Sequence, residues 1–180
     1  KEDITVRQLL THTSGLPAWL PLWRDHPTVE ARILATLEAS LQSEPGTTYR
    51  YSDLNMITAG LVAEEVSGQG LDDLVREGIT EPLGMVDTGY NPDPALLERI
   101  AATEYQAAPP RGLVHGEVHD ENAWSLGGVA GHAGIFSTAD DMAILAQTIL
   151  NGGAYGDARI LSTESVEAML TDENTAFPGN

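Results

Sequence analysis

A capped helix signal between residues 51 and 68 constrains the fold of this chain more than any other segment. Ser52 or Asp53 is a strong N-cap for the periodic apolar run over 54–66, which stops at Ser67-Gly68. The pattern predicts a long helix with Tyr51 immediately outside its N-terminus. Because the helix dipole and the free amides at that end favour negative charge, a tyrosinate or a developing oxyanion there would be stabilised.

Most of the remaining chain also carries helical signals. Apolar residues recur at helical spacing between capping residues and Gly or Pro stops, over 5–11, 28–41, 70–77, 140–150 and 162–170. Strand signals are short, at 103–107 and 159–161. The sequence therefore predicts a mainly α chain with minor short strands, and its 180 residues with 42% hydrophobic content suit a single domain.

The composition disfavours several classes of function. The formal net charge is −18, so nucleic acid is an unlikely partner, because phosphate binding needs clustered lysine and arginine. The acidic residues are scattered, which indicates either a solvated surface or adaptation to high salt. The sequence has no run of about 18 apolar residues, so no membrane-spanning helix is predicted. The chain has no cysteine, which excludes disulfides and thiolate catalysis.

Three segments, in order, resemble one known family. They are ITVRQLLTHTSGLP at 4–17, the triplet Tyr51-Ser52-Asp53, and GGVAGHAGIFSTADDM at 127–142. The triplet resembles the Tyr-x-Asn element of the serine β-lactamase-related hydrolases, which include class C β-lactamases, penicillin-binding esterases and D-Ala-D-Ala peptidases. The triplet alone is a weak signal. Its specificity comes from the two flanking segments.

Two elements of that family are missing from the sequence. The family's nucleophile is a serine followed three residues later by a lysine, and a Lys-Thr-Gly or His-Thr-Gly strand completes its site. The only lysine here is Lys1, so no Ser-x-x-Lys exists, and His132-Ala133-Gly134 leads into a helix cap instead of an edge strand. The resemblance therefore implies a helical subdomain, with residues 1–180 forming a single helical domain of a larger α/β-plus-helical protein. We expect it to be inactive alone.

The resemblance implies a catalytic role for Tyr51. In the family, this tyrosine works with the lysine that activates the nucleophile, relaying a proton from the serine during acylation. A tyrosine has a reference pKa of about 10, so a neighbouring ammonium is needed to make its anion accessible near neutral pH.

The third motif position departs from the family's pattern. Asp53 replaces an asparagine that donates an amide hydrogen bond to the substrate carbonyl, and an ionised aspartate only accepts. Asp53 therefore suits an amine-bearing peptide or ester substrate, or else it simply caps its helix. Asn55 is the alternative source of the missing amide.

A polar segment at 115–122, HGEVHDEN, is the other candidate constellation. Its two histidines would share a metal only on a helix, which Gly116 and Val118 disfavour, so we predict no metal. We interpret the segment as a loop at the rim of a cleft, with His119 and Asp120 hydrogen-bonded to hold its shape, or as a plain solvated loop.

Two residues of the glycine-rich segment complete the candidate site. His132 and Ala133 lie at positions that, by the resemblance, face the side chain of the substrate; a structural turn is the alternative. No cofactor is expected.

The resemblance implies a serine hydrolase that forms an acyl-enzyme with a β-lactam, peptide or ester. Its expected partners are a small-molecule or peptide substrate and the missing α/β half of the same protein, and its expected location is periplasmic or extracellular. The alternatives are a freestanding helical protein-binding module that uses Trp19 and Trp23, and a homologue that has lost activity. No serine lies in a Gly-x-Ser-x-Gly segment, so the α/β-hydrolase reading fails.

Overall fold

The computed structural model describes residues 4–177. The N-terminal third is helical, with α1 over Val6–Leu10, α2 over Leu22–Asp25, α3 over Val29–Glu38 and α4 over Asp53–Ser67. Helix α5, over Leu71–Val75, continues through a π-helical turn over Arg76–Thr80 into α6, over Glu81–Leu83. The predicted helix over 70–77 is therefore longer in the structure.

The C-terminal half alternates short helices with two-residue strands. In chain order these are β1 Gly89–Tyr90, a 3-10 helix Pro94–Arg99, β2 Tyr105–Gln106, β3 Gly112–Leu113, α7 Glu121–Ser125, β4 Ile135–Phe136, α8 Ala139–Leu150, β5 Ala154–Tyr155, β6 Ala158–Arg159 and α9 Thr163–Leu170. The strands form three antiparallel pairs, β1 with β4, β2 with β3, and β5 with β6. The β1–β4 pair brings the chain after α6 next to the glycine-rich segment.

Helix α4 begins and ends where its capping residues predict. At the N-terminus, the Ser52 hydroxyl accepts a hydrogen bond from the backbone N–H of Asn55. At the C-terminus, Gly68 adopts a left-handed conformation with φ of 71°. Leu54 and Ile57 are buried on its inner face. One buried cluster joins this helix to α1, and it comprises Leu9, Leu16, Ala39 and Leu54.

A second buried cluster lies under the glycine-rich segment and comprises Val118, Ala123 and Ala130, with Leu126 and Ala133 packed against it. Backbone contact between Gly60 of α4 and Gly131 connects that segment to α4. A Cβ built on Gly131 would lie 2.0 Å from the carbonyl oxygen of Met56, so only glycine allows this approach. The N-terminus of α4 and the residues that follow Gly131 are thereby held on the same side of the molecule.

The mainly α fold class predicted from the sequence is wrong. Long irregular segments and paired strands join the described helices, and the buried apolar residues form small separate clusters instead of one bundle core. The sequence correctly predicted that much of the chain is helical. It did not predict the fold class, because the class depends on how the helices are arranged with the strands and loops.

Among residues 4–177, no helix is both long enough and apolar enough to cross a membrane.

Candidate active site

A buried hydrogen-bond network fixes the N-terminus of α4. The Ser52 hydroxyl donates to the carbonyl oxygen of Pro17 at 2.6 Å, and the Ser14 hydroxyl donates to Oδ1 of Asn55 at 2.5 Å. Ser14, Ser52 and Asn55 are all fully buried. These contacts hold the loop that precedes α4 against the loop that follows α1, and so they fix the backbone next to Tyr51.

His12 is the polar centre of this network. Its backbone has a positive φ of 57°, which is uncommon for a residue other than glycine. Its Nδ1 accepts a hydrogen bond from the Ser52 amide at 3.2 Å and lies 3.2 Å from Nδ2 of Asn55. Burial lowers the pKa of His12, although the charge of Asp53 partly opposes this. The ring is therefore a neutral acceptor through Nδ1.

Tyr51 lies against the His12 ring and faces outward. The two ring centroids are 4.7 Å apart, and 59% of the tyrosine is exposed. Burial of its hydroxyl and the negative charges of Asp53 and Asp120 raise the pKa of Tyr51. The described residues therefore make the phenol harder to ionise, so a tyrosinate here would need a cation from elsewhere.

Asp53, Asp120 and His132 meet beside Tyr51. Each contributes one carboxylate oxygen or ring nitrogen, and these atoms lie within 4.8 Å of one another. We refer to these three residues as the acidic trio. The two carboxylates can accept hydrogen bonds from an ammonium group or bind a metal ion, and the imidazole lies beside them.

Asp120 is the best-anchored member of the trio. Its Oδ1 accepts hydrogen bonds from the Ala123 amide at 2.7 Å, as the N-cap of α7, and from Nε2 of His132 at 2.8 Å. Burial raises the pKa of Asp120, but the hydrogen bonds from His132 and Ala123 outweigh it and hold the pKa below the usual value. Asp120 is therefore an ionised carboxylate at neutral pH.

Asp53 has the opposite electrostatic balance. Burial, together with the charge of Asp120, raises its pKa, while His132, Tyr51 and His12 act in the lowering direction. Its carboxylate thus lies in a site that already holds one negative charge, and a bound cation would relieve this repulsion.

His132 is enclosed by protein, with only 3% of its side chain exposed. Its Nε2 bonds Asp120, and its Nδ1 has no hydrogen-bond partner among the described residues. Ala133 packs against the apolar cluster under the glycine-rich segment. The predicted contacts of His132 and Ala133 with substrate stay predictions.

Arg111 organises the loop that presents Asp120. Its guanidinium, 7% exposed, donates to the carbonyl oxygens of His119 at 3.1 Å and Val118 at 2.7 Å, and it lies over the Trp124 ring at 4.9 Å. The His119 ring pairs with Glu104 at 2.7 Å, so it helps to fix the loop.

The structure thus brings together four of the residues named from the sequence, Tyr51, Asp53, Asp120 and His132. It places Asn55 in the buried network and pairs the His119 ring with Glu104. Sequence reasoning missed the roles of His12 and Arg111. For His12, the available signal was its position in the first of the three resembling segments. For Arg111, it was a lone basic residue in a loop rich in carboxylates and carbonyl acceptors.

Comparison with known proteins identifies the family. A family model described as beta-lactamase matches residues 1–179. The chain belongs to the beta-lactamase family.

Curated relatives from enteric bacteria give a more specific likeness. Proteins of Escherichia coli O157:H7 and strain K12, each named "Putative D-alanyl-D-alanine carboxypeptidase", are 38% identical to this chain over 195 residues, covering 95% of the chain and 44% of their own length. A Salmonella typhi protein of the same name is 35% identical over 191 residues. The chain therefore spans less than half the length of these relatives.

Solved structures correct the fold class. The crystal structure of a "putative beta-lactamase from Bacteroides dorei DSM 17855" aligns with a TM-score of 0.67 and 26% identity, covering 94% of this chain and 43% of that one. D-amino acid amidase from Ochrobactrum anthropi SV3, complexed with D-phenylalanine, aligns with a TM-score of 0.62 and 26% identity, covering 91% of this chain and 47% of that one. Because β-lactamase-fold proteins align over nearly all of it, the chain has part of that fold and not a mainly α fold of its own.

Proposed function

We propose that this chain supplies the catalytic tyrosine and part of the substrate wall of a serine hydrolase, which works through an acyl-enzyme on a small-molecule or peptide substrate. The observation that carries this proposal is Tyr51, exposed at the N-terminus of α4 beside the acidic trio, in a chain of the beta-lactamase family. An exposed hydroxyl at a helix N-terminus supports a role as proton carrier for an incoming nucleophile.

The acyl-enzyme step requires groups from outside residues 1–180. A serine hydroxyl attacks the scissile carbonyl and passes its proton to the Tyr51 phenolate. The scissile bond then breaks, the leaving group takes that proton from Tyr51, and the acyl group stays on the serine; water hydrolyses the acyl-enzyme to release the acid and restore the serine hydroxyl. Since Asp53 and Asp120 raise the pKa of Tyr51, the phenolate needs a nearby ammonium, which this chain does not contribute within its described residues. We therefore propose that the rest of the protein provides both the serine and that amine, and that the chain alone is inactive.

The relatives favour a substrate of the D-alanyl-D-alanine type, since the E. coli proteins are named "Putative D-alanyl-D-alanine carboxypeptidase". Hydrolysis of D-amino acid amides is the second candidate, favoured by Asp53, which can only accept hydrogen bonds, and by the likeness to a D-amino acid amidase. We place the protein in the periplasm or outside the cell, where such peptides are exposed.

Covalent labelling of the full-length protein tests this function. A fluorescent penicillin and a fluorophosphonate should each give one adduct, and mass spectrometry should locate it on a serine followed three residues later by lysine. Replacing that serine by alanine should abolish the adduct. A well-folded full-length protein that reacts with neither probe would rule out the acyl-enzyme and support a homologue that has lost activity.

A further inference from the structure

We propose that Asp53 and Asp120 together form a specificity site for a free ammonium group on the substrate, which directs the hydrolase to amides and peptides of an amino acid whose amine is not acylated. This inference rests on the proposed function and names the substrate class of the same site. His132 is a positioning residue that holds Asp120 in place.

The two carboxylates of the trio call for a ligand that donates hydrogen bonds. Ionised carboxylates only accept hydrogen bonds, and an ammonium group carries three donors. Asp53 and Asp120 contribute acceptor oxygens that lie within 4.8 Å of each other, close enough for one ammonium nitrogen to lie between them. A carbonyl or a carboxylate of the substrate would find no hydrogen-bond donor in either residue.

No lysine or arginine among the described residues offsets the negative charge of Asp53. Within residues 4–177, the groups that act on the Asp53 carboxyl are Tyr51, Asp120, His132 and His12, and neither lysine nor arginine is among them. Hydrogen bonds from Ala123 and His132 fix Asp120, and Asp53 has the Tyr51 hydroxyl as a hydrogen-bond partner. A bound cation would therefore offset the negative charge of Asp53 without displacing an existing ion pair.

A metal ion suits the trio less well than an ammonium does. The Nε2 atom of His132 donates to Asp120 at 2.8 Å, so this nitrogen holds a proton and has no lone pair for a metal. The other nitrogen, Nδ1, is buried and has no partner among the described residues. Only the two carboxylates are then open to a ligand, whereas a protein zinc site uses three or four protein ligands.

The position of the trio identifies which amine it would bind. Asp53 and Asp120 both act on the Tyr51 hydroxyl, the proposed proton carrier. In an amino acid amide or a free dipeptide, the α-ammonium lies one carbon from the scissile carbonyl. An ammonium held by the trio would therefore bring that carbonyl near Tyr51, and acylation of the amine would remove the interaction.

A matched pair of substrates tests the proposal on the full-length protein. D-alanine p-nitroanilide and N-acetyl-D-alanine p-nitroanilide differ only at the amine. We expect kcat/KM for the free amine to exceed that for the acetylated compound by about tenfold or more, since one charge-assisted contact contributes at this scale. Asp53→Asn and Asp120→Asn should each lower that ratio by about tenfold, while the matched charge-removing control Glu167→Gln, at an exposed position, should keep it.

Thermal shift with D-alaninamide and N-acetyl-D-alaninamide gives a second measurement that needs no turnover. The free amine alone should raise the melting temperature of the wild type, and Asp120→Asn should remove this effect; asparagine retains an oxygen for the Ala123 cap. Equal efficiency and equal shifts for the two ligands would overturn the proposal while covalent labelling leaves the hydrolase function intact. Loss of activity on both substrates with EDTA, restored by zinc, would instead assign the trio to a metal and also overturn it.

Discussion

At the scale of single residues, the site depends on how one carboxylate is held. Asp120 has two tasks, because its carboxylate accepts two hydrogen bonds. One comes from the Ala123 amide and caps α7, and the other comes from the buried His132 ring. The first task is local, because an N-cap requires only the residue and the following turn. The second connects the loop before α7 to the glycine-rich segment and brings Asp120 next to Asp53.

Asp120→Ala should destabilise the full-length protein by about 1–2 kcal/mol from the lost cap alone, and by more because the buried His132 donor loses its acceptor. Asp120→Asn, which keeps an acceptor oxygen, should cost less. Urea unfolding monitored by circular dichroism measures both.

The cost of Asp120→Ala should depend on pH. The pKa of Asp120 is depressed in the folded state, so its ionised form contributes stability above the unfolded pKa of about 3.9, and this is lost as the pH falls through the folded pKa. The difference between wild type and Asp120→Ala should therefore shrink in acid. An equal difference at pH 7 and at pH 3 would contradict the assigned hydrogen bonds.

At the scale of elements, the close approach of α4 and the glycine-rich segment positions His132. Gly131 meets the backbone of α4 at Met56 and Gly60, and its neighbour His132 then reaches Asp120. Gly131 does not require an unusual backbone conformation, so its constraint is steric.

Gly131→Ala should cost about 1–3 kcal/mol, because the new methyl group overlaps the Met56 carbonyl and forces the segment away from α4. It should also lower kcat/KM by displacing His132. Gly78→Ala is the matched control, since a Cβ there meets nothing within 4 Å, and it should be neutral or slightly stabilising. Equal effects of the two substitutions would show that the close approach does not matter.

The loop before α7 depends on Arg111, and Arg111→Ala should destabilise the protein by about 2–4 kcal/mol, because several acceptors around a largely buried guanidinium lose their donor. Arg24→Ala is the control. Arg24 is 61% exposed and pairs with the adjacent Asp25, so its loss should have little effect on stability. Chemical denaturation compares the two, and a similar small effect of both would refute the organising role of Arg111.

The sequence predicted those elements whose signals are local. Ser52 and Gly68 specify the ends of α4 through capping, and both ends were predicted closely. The sequence predicts a strand at 103–107 but not its partner, which is Gly112–Leu113 paired with Tyr105–Gln106. Beside this pair, the Arg111 guanidinium donates to Gln106 and to the carbonyl oxygens of Val118 and His119, and periodicity does not report such contacts.

The candidate site shows the same division. Tyr51, Asp53, Asp120 and His132 were each named from the sequence, but their meeting was not predicted, because three separate segments converge only through packing of α4 on the glycine-rich segment. His12 was missed because its positive φ and its acceptor role belong to a tertiary network.

At the scale of the whole molecule, the chain covers less than half the length of its curated relatives. It belongs to the beta-lactamase family, yet it covers 44% of the length of its E. coli relatives, and residues 1–180 contain no Ser-x-x-Lys. The described part presents an exposed tyrosine beside the carboxylates of Asp53 and Asp120. We infer that the reactive hydroxyl and its amine approach this face from the remainder of the protein.

The rate at which the full-length Tyr51→Phe variant is acylated by a fluorescent penicillin or phosphonate tests this account most directly. Tyr49→Phe is the matched control, since it loses the same hydroxyl from the same segment and its ring also contacts His12. We predict that Tyr51→Phe slows acylation by about 100-fold or more, the scale of a lost proton carrier, while Tyr49→Phe reacts at the wild-type rate. Equal rates for Tyr51→Phe and the wild type would contradict the assignment of Tyr51 to catalysis.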